Sequence, residues 1–403
     1  MTLRVAHRGS LVDRMNEALG VPTAYFPGPM VVLVHEGWDL TPYLATQLRN
    51  GGCGVHMLTA SDDARDVLPG PHLGPGITEQ RVPGVHSDGY VEALDMAVGA
   101  YPSAVVLALT EAILSRIWAA NPAWSDRVFP HVDPWQRQLL QDKSRLSAYV
   151  AARGVRVPPE HAVRCVEDLR DGLRKLGLPA VLKGTTGVGG SRVRVVQSEA
   201  EALQAFGILA AAGPCFLQQF VDGPTYVVGG LFHEGEPLRL YAGEVLECDP
   251  PVTGPSIRLR STQDSALLEQ AIAAARALRC SGLVGMNLMQ NRDGRYSFIE
   301  LNPRPWGSIG AAETAAVNLF TPFIQMLRGQ TVNPRLSCVD GVESGVHPKL
   351  AMNRLRGGGL TSLGRLATDP KAWLDAPWRD PRLMAYWIRR LRWHWQSETL
   401  RRQ

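Results

Sequence analysis

Residues 298–308 read FIELNPRPWGS. Glu300 and Asn302 stand two apart at the end of the apolar run 296–301, so on a strand both side chains face the same side. Both present oxygen ligands. Magnesium takes oxygen ligands and is usually held by one or two carboxylates together with nucleotide phosphates. Pro303 ends the strand. Arg304 then sits beside the ligands, able to bind phosphate or a developing oxyanion. Taken alone, the same residues also describe a strand edge with a solvated glutamate and an Asn-Pro turn.

About a hundred residues upstream, 178–196 reads LPAVLKGTTGVGGSRVRVV. A strand at 180–183 delivers Lys183 into a loop containing Gly184, Gly187, Gly189, Gly190 and Ser191, and 193–196 returns as its hairpin partner. Glycines let backbone N–H groups approach phosphate oxygens without an intervening Cβ. The lysine adds a point charge for the same oxygens. The loop lacks the Gly-Lys-Ser/Thr ending of a P-loop and does not open a helix, so it reads as a lid. A flexible hairpin turn is the other reading of this segment alone. Two independently placed parts of one phosphate–metal site argue for the functional reading of both.

Around these parts the chain alternates. Residues 30–35 (MVVLVH) read as a buried parallel strand, 40–50 as a helix, and 54–58 and 104–109 as further strands. This alternation predicts an open α/β unit to about residue 125, with a boundary at 122–134. After it, 135–153 is expected to be one helix, and 168–177, 198–212 and 263–278 are expected helices. Strands are expected at 215–220, 226–232, 283–290 and 296–301. The last two are joined by the hairpin turn Asn291-Arg292-Asp293-Gly294.

These residues in combination resemble the ATP-grasp superfamily, in its branch of carboxylate–amine ligases with a carbamoyl-phosphate-synthetase-like ATP-binding domain. The resemblance covers 139–329. Gln141-Asp142-Lys143 resembles the family's first nucleotide lysine, and Lys183 the second. Residues 216–223 (FLQQFVDG) resemble the hinge that binds adenine. Glu300, Asn302 and Arg304 resemble the metal-binding E-x-N-x-R. The implied fold is α/β with α+β lobes. It has an N-terminal α/β domain at 1–125, a small mobile lid part at 135–215, and a metal- and substrate-binding part at 216–335. A C-terminal extension at 336–403 packs on the body.

The resemblance implies ATP and Mg2+ as cofactors, with Mn2+ able to substitute. Nucleotide contacts are expected from Lys143, Lys183, Gly187, Gly189, Gly190, Ser191, Gln218, Gln219, Phe220, Val221 and Thr225. Metal contacts are expected from Glu300, Asn302 and Asn287. Catalytic roles fall to Arg304 and Lys183, and Arg258 and Arg260 in PSIRLRS are expected to hold a substrate carboxylate; solvated arginines on a charged strand face are the alternative. Three positions depart from the pattern: Gln218 replaces a hinge glutamate, Thr225 a ribose-binding acid, and Asn287 a metal-binding acid or glutamine.

The implied reaction is ATP-dependent amide or peptide bond formation through an acyl-phosphate, on amino acids or small carboxylates. Two alternatives stay open: a carboxy- or carbamoyl-phosphate-forming enzyme, and a non-catalytic ATP-binding regulator. The expected partners are a small carboxylate and a small amine, with a homodimer admitted. A net charge of +4 gives no argument for nucleic acid. No apolar run reaches the length of about 18 residues that a membrane span needs. Six cysteines without C-x-x-C spacing suggest reduced thiols in a cytoplasmic protein. His35, His56, His86 and His347 are noted as pocket candidates, though a lone histidine is more often structural. The Trp/Arg-rich tail 379–403 reads as a helix packing its tryptophans on the body, with a lipid or nucleic-acid surface as the other reading.

Overall fold

The apolar run Met30–His35 forms β1 and is buried on both faces. This computed structural model describes residues 28–63, 70–187, 190 and 192–400. Among them, β1 joins β2 (Gly54–Ala60), β3 (Ile77–Val82), β4 (Val105–Ala108) and β5 (Val128–Phe129) in a parallel sheet of order β3-β2-β1-β4-β5. Alternate residues feed two cores. Val31, Leu33, Met57 and Leu107 pack with the helix Thr41–Asn50. Val32, Val34, Leu58 and Val106 pack with the helices Tyr90–Gly99 and Glu111–Ala120. Helices on both faces explain why the strand shows no polar alternation. Because β5 pairs with β4, the sheet runs past the expected end at residue 125.

The expected single helix at 135–153 is two helices, Pro134–Leu140 and Lys143–Ala151. Asp142 causes the break. Its carboxylate accepts from the backbone N–H groups of Ser144 and Arg145, both at 3.0 Å, and so starts a new helix. Lys143 therefore leads that helix, with its own N–H bonded to the Thr185 carbonyl at 2.9 Å.

A second sheet contains β6 (Glu160–Val163), β7 (Ala180–Gly184), β8 (Val193–Val196) and β9 (Cys215–Gln219), antiparallel in the order β6-β9-β7-β8. Ala180, Leu182, Cys215 and Leu217 pack under the helices Val166–Leu176 and Glu199–Ala210. Strand alternation sends Val181, Lys183 and Gln218 to the opposite face. A third sheet contains β10 (Thr225–His233), β11 (Glu236–Cys248), β12 (Ser256–Ser261), β13 (Gly282–Gln290), β14 (Tyr296–Asn302) and β15 (Glu343–Gly345). Its order is β14-β13-β10-β11-β12-β15.

Gly229 and Gly285 are cross-strand partners on β10 and β13. The Trp306 side chain lies across both: a Cβ at Gly229 would meet its indole at 2.4 Å, and one at Gly285 would meet its Cβ at 2.5 Å. Trp306 is 3% exposed and packed in the core, so moving it would disturb its neighbours. Gly229→Ala is expected to lose about 1–3 kcal/mol of stability by overpacking, measured as a lower denaturant midpoint at an unchanged slope. An unchanged midpoint would show that Trp306 can move.

The C-terminal helix Pro381–Leu400 buries Leu383, Tyr386 and Trp387 in the core that also holds Leu44 and Leu48. Trp395 is half-buried beside Ala351, Leu355 and Leu391. Trp393 is left exposed. No described helix is long and apolar enough to cross a membrane.

Candidate active site

A cleft of about 740 Å3 lies where the three sheets meet. On one side are the residues that follow β1 (Glu36 to Asp39) and β4 (Leu109 to Ala112). In the order β3-β2-β1-β4-β5 the chain reverses direction between β1 and β4. That reversal opens a crevice beyond the carboxyl ends of parallel strands, the place where such sheets bind ligands. The polar face of the second sheet and the free face of β10, β13 and β14 close the cleft.

Strand β14 carries a bulge that sets its chemistry. Glu300 pairs with Asn287 and Phe298 with Leu288, so Ile299 is the extra residue. Without it, Phe298 and Glu300 would share a face. The bulge lets Tyr296, Phe298 and Leu301 enter the core while Ile299, Glu300 and Asn302 line the cleft. The Lys143 ammonium lies 2.9 Å from Glu300 Oε2, and the Asn287 amide donates to Oε1 at 2.7 Å. Lys143 holds the Glu300 carboxyl down to about 2, against the opposing effect of burial and with help from Lys183 and Arg304. Burial alone would lower Lys143; Glu300 outweighs it and keeps the ammonium above its ordinary value.

Arg304 pairs with Glu111 at 2.9 Å, donates to Asn302 Oδ1 at 3.3 Å and lies over the Trp38 ring at 5.0 Å. Opposite, Lys183 Nζ donates to Gln218 Oε1 at 2.6 Å, and Gln218 Nε2 donates to Glu160 Oε1 at 2.7 Å. Burial pulls Lys183 down to about 8. Burial pushes the Glu160 carboxyl up. Gln218 thus spends both ends of its amide linking Lys183 to Glu160.

Gln219, Phe220, Val221 and Thr225 line the same cleft. Gly190 also lines it, with φ +74 and so little room that a Cβ would strike the Thr253 carbonyl. Gly187 takes φ +128, a conformation that suits glycine. Gly189 and Ser191 lie outside the described residues.

Arg258 and Arg260 are placed elsewhere. They do share one face of β12, but neither lines the cleft. Arg258 donates to Glu247 at 2.7 Å and to Glu343 at 2.8 Å, and Arg260 to Glu343 at 3.1 Å. The cation that does face the cleft is Lys349, which sequence reasoning missed. It makes no hydrogen bond or ion pair with the described residues, and burial lowers its pKa. No local motif marks it. Of the four histidines, His86 lines the cleft, His35 bonds Thr59 and His56 bonds Thr78 within the parallel sheet, and His347 lies in a separate cavity.

The donors fit a magnesium nucleotide. Among the described residues no three His, Cys, Asp or Glu side chains gather as a metal cluster. One carboxylate, Glu300, stands with the amide oxygens of Asn302 and, after rotation of its amide, Asn287. Such a set suits an ion that keeps water and phosphate oxygens in its shell.

Residues 140–308 match the family described as the ATP-grasp domain. The chain carries an ATP-grasp domain. The matched span includes Lys143, Lys183, Glu300, Asn302 and Arg304, and the fold around it agrees. A solved N5-carboxyaminoimidazole ribonucleotide synthetase, in its ADP complex, superposes on 82% of this chain and 87% of its own with a TM-score of 0.63 at 20% identity. L-amino acid ligase from Bacillus licheniformis superposes on 76% of this chain and 75% of its own, with a TM-score of 0.58 at 17% identity. In sequence, pyruvate carboxylase of Schizosaccharomyces pombe is 28% identical over 190 residues, 41% of this chain. The match takes in 15% of that carboxylase, so the likeness covers a small part of its length.

Proposed function

We propose that this protein is an ATP- and magnesium-dependent, ADP-forming ligase that joins a small carboxylate, such as an amino acid, to an amine. The observation that carries the proposal is the convergence of Lys143, Lys183, Arg304 and Lys349 around Glu300 and Asn302 in one cleft. The cations are matched to phosphates and a substrate carboxylate, and the oxygen donors to a metal.

In the proposed reaction a substrate carboxylate oxygen attacks the γ-phosphorus of ATP, and ADP leaves. The amine nitrogen then attacks the acyl carbon and expels phosphate, its proton passing to solvent. Lys143 and Lys183 hold the phosphates in line, which is most of what phosphoryl transfer asks of a protein. Magnesium, held at Glu300 and Asn302, would neutralise phosphate charge. Arg304 sits where charge develops on the acyl-phosphate. The carboxylate-holding role expected of Arg258 and Arg260 passes in this reading to Lys349, because both arginines are already paired with Glu247 and Glu343. The cysteines described are all free thiols, which suits a reducing, cytoplasmic compartment.

A bicarbonate-activating enzyme is the second reading, favoured by the sequence likeness to a carboxylase. One experiment separates them. The protein is incubated with ATP, magnesium and pairs of carboxylates and amines, and ADP and amide products are measured. ADP that forms only when both members of a pair are present, with an amide of the summed mass, is the expected result. ADP formation driven by bicarbonate alone selects the second reading. ATP binding without ADP from any pair or from bicarbonate sinks both.

A further inference from the structure

A second cavity, of about 950 Å3, lies behind the cleft; Gly307 and Ser308 line both. Three carboxylates line its wall; Asp380 lies near Arg49, and the other two, Glu313 and Asp375, have no cation beside them among the described residues. Glu313 Oε2 accepts from the Tyr43 hydroxyl at 2.8 Å and from Gln47 at 3.1 Å. Asp375 Oδ1 accepts from Thr314 at 2.8 Å and Oδ2 from the Gly345 N–H at 3.0 Å. These donors are all neutral, and among the described residues no cation pairs with either acid. Arg49, also on the wall, is directed to the Leu73 carbonyl at 2.5 Å and lies 3.8 Å from Asp380.

A second, independent feature marks the same cavity. Thr46 Oγ1, both ring nitrogens of His347 and Trp387 Nε1 are buried without a hydrogen-bond partner, and all three residues line it. Thr46 is 3%, His347 7% and Trp387 3% exposed. Buried polar atoms are nearly always bonded. Four orphans on three residues of one cavity wall leave that wall with unmet hydrogen-bonding capacity just beneath its surface. The His347 and Trp387 rings lie 4.7 Å apart and, with Tyr43, give an aromatic wall suited to an organic cation. Burial lowers His347 to about 4, so its imidazole is neutral and can accept an N–H. At the rim, Arg379 and Arg382 are exposed and have no acidic partner among the described residues.

We propose that this cavity binds a small ammonium-bearing zwitterion of α-amino-acid chemistry, its ammonium held by Glu313 and Asp375 and its carboxylate directed to Arg379 and Arg382. This site does not depend on the ligase reading, because it needs neither nucleotide nor metal.

The test is calorimetric titration of the full chain, free of nucleotide, with three isosteric probes. L-phenylalanine carries both charges, phenethylamine only the ammonium, and 3-phenylpropionate only the carboxylate. Phenylalanine is expected to bind, phenethylamine more weakly, and 3-phenylpropionate not at all. Asp375→Asn and Glu313→Gln should each weaken phenylalanine binding at least tenfold, while Arg170→Met, at an exposed residue that lines neither cavity, should leave it unchanged. Asp375 has φ +58, which asparagine also adopts, so the loop is kept. Should Asp375→Asn still lower the thermal midpoint, Glu313→Gln alone decides. Equal binding of 3-phenylpropionate, unaltered affinity in the carboxylate variants, loss of binding in Arg170→Met, or no heat with any probe would each overturn the proposal.

Discussion

Glu300→Gln is expected to lower magnesium-dependent ADP formation by roughly three orders of magnitude, about 4 kcal/mol of transition-state stabilisation. Glutamine keeps the size of the side chain and one acceptor oxygen, so the change isolates the charge. That charge is fully formed at any working pH, because Lys143 holds the carboxyl down to about 2. It is also the only carboxylate among the donors assigned to the ion, since Asn287 and Asn302 are neutral. Removing it leaves Lys143, Lys183 and Arg304 facing one another without the anion they share. A second effect follows from linkage. A depressed carboxyl pKa stabilises the fold above the unfolded value of 4.5, and that contribution fades as pH falls towards about 2. The variant should therefore also unfold at a lower temperature at neutral pH, and the difference should narrow in acid. ADP release measured across a magnesium titration is the check. A near-normal rate at low magnesium would remove Glu300 from metal binding.

What the sequence revealed was local. MVVLVH announces a strand buried on both faces, the glycines around Lys183 announce a loop that approaches something closely, and E-x-N on a strand end announces paired oxygen donors. Each signal lies within about a dozen residues. What escaped depended on distant partners or on single-residue geometry. Nothing in PSIRLRS shows that Arg258 is claimed by Glu343, 85 residues later. Lys349 enters the cleft from a segment with no motif. The break at Asp142 was hidden because an aspartate inside a helical pattern reads as a polar face until its carboxylate is seen capping Ser144 and Arg145. Strand β11 escaped because Pro237 and Gly243 interrupt its pattern, and the structure absorbs the proline at a register shift opposite Leu231 and Phe232. The bulge at Ile299 was likewise invisible. Glu300 and Asn302 share a face with or without it, but only the extra residue turns that face away from the core that takes Phe298.

The departures at Gln218 and Asn287 bear on the same site. Gln218 Oε1 is a neutral acceptor for Lys183, where a carboxylate would have held the ammonium protonated. Burial therefore dominates, and Lys183 sits near 8 in place of 10.5. The substitution at the hinge thus reappears as a property of the phosphate lysine.

Lys183→Met should accordingly lower kcat/KM for ATP by about 10²–10³, the usual loss when one donor to a charged transition state is removed. The wild-type pH profile gives a sharper test. Phosphates bind the charged lysine, so kcat/KM, which reports the free enzyme, should fall as pH rises through about 8. Lys183→Arg keeps its charge well above that range and should lack this limb. Stability moves the other way. A lysine whose folded pKa lies below its unfolded value of 10.5 binds fewer protons folded than unfolded between about 8 and 10.5, so its contribution to stability rises with pH across that window. Below pH 8 the buried charge costs the fold its full penalty, and Lys183→Met should be the more stable protein there. That advantage should shrink as pH approaches 10.5. ATP affinity and wild-type stability thus change in opposite senses across one pH window, with wild type losing affinity while it closes the stability gap to Lys183→Met. If affinity stays flat through pH 8, or the gap does not narrow, Lys183 is not the titrating phosphate ligand.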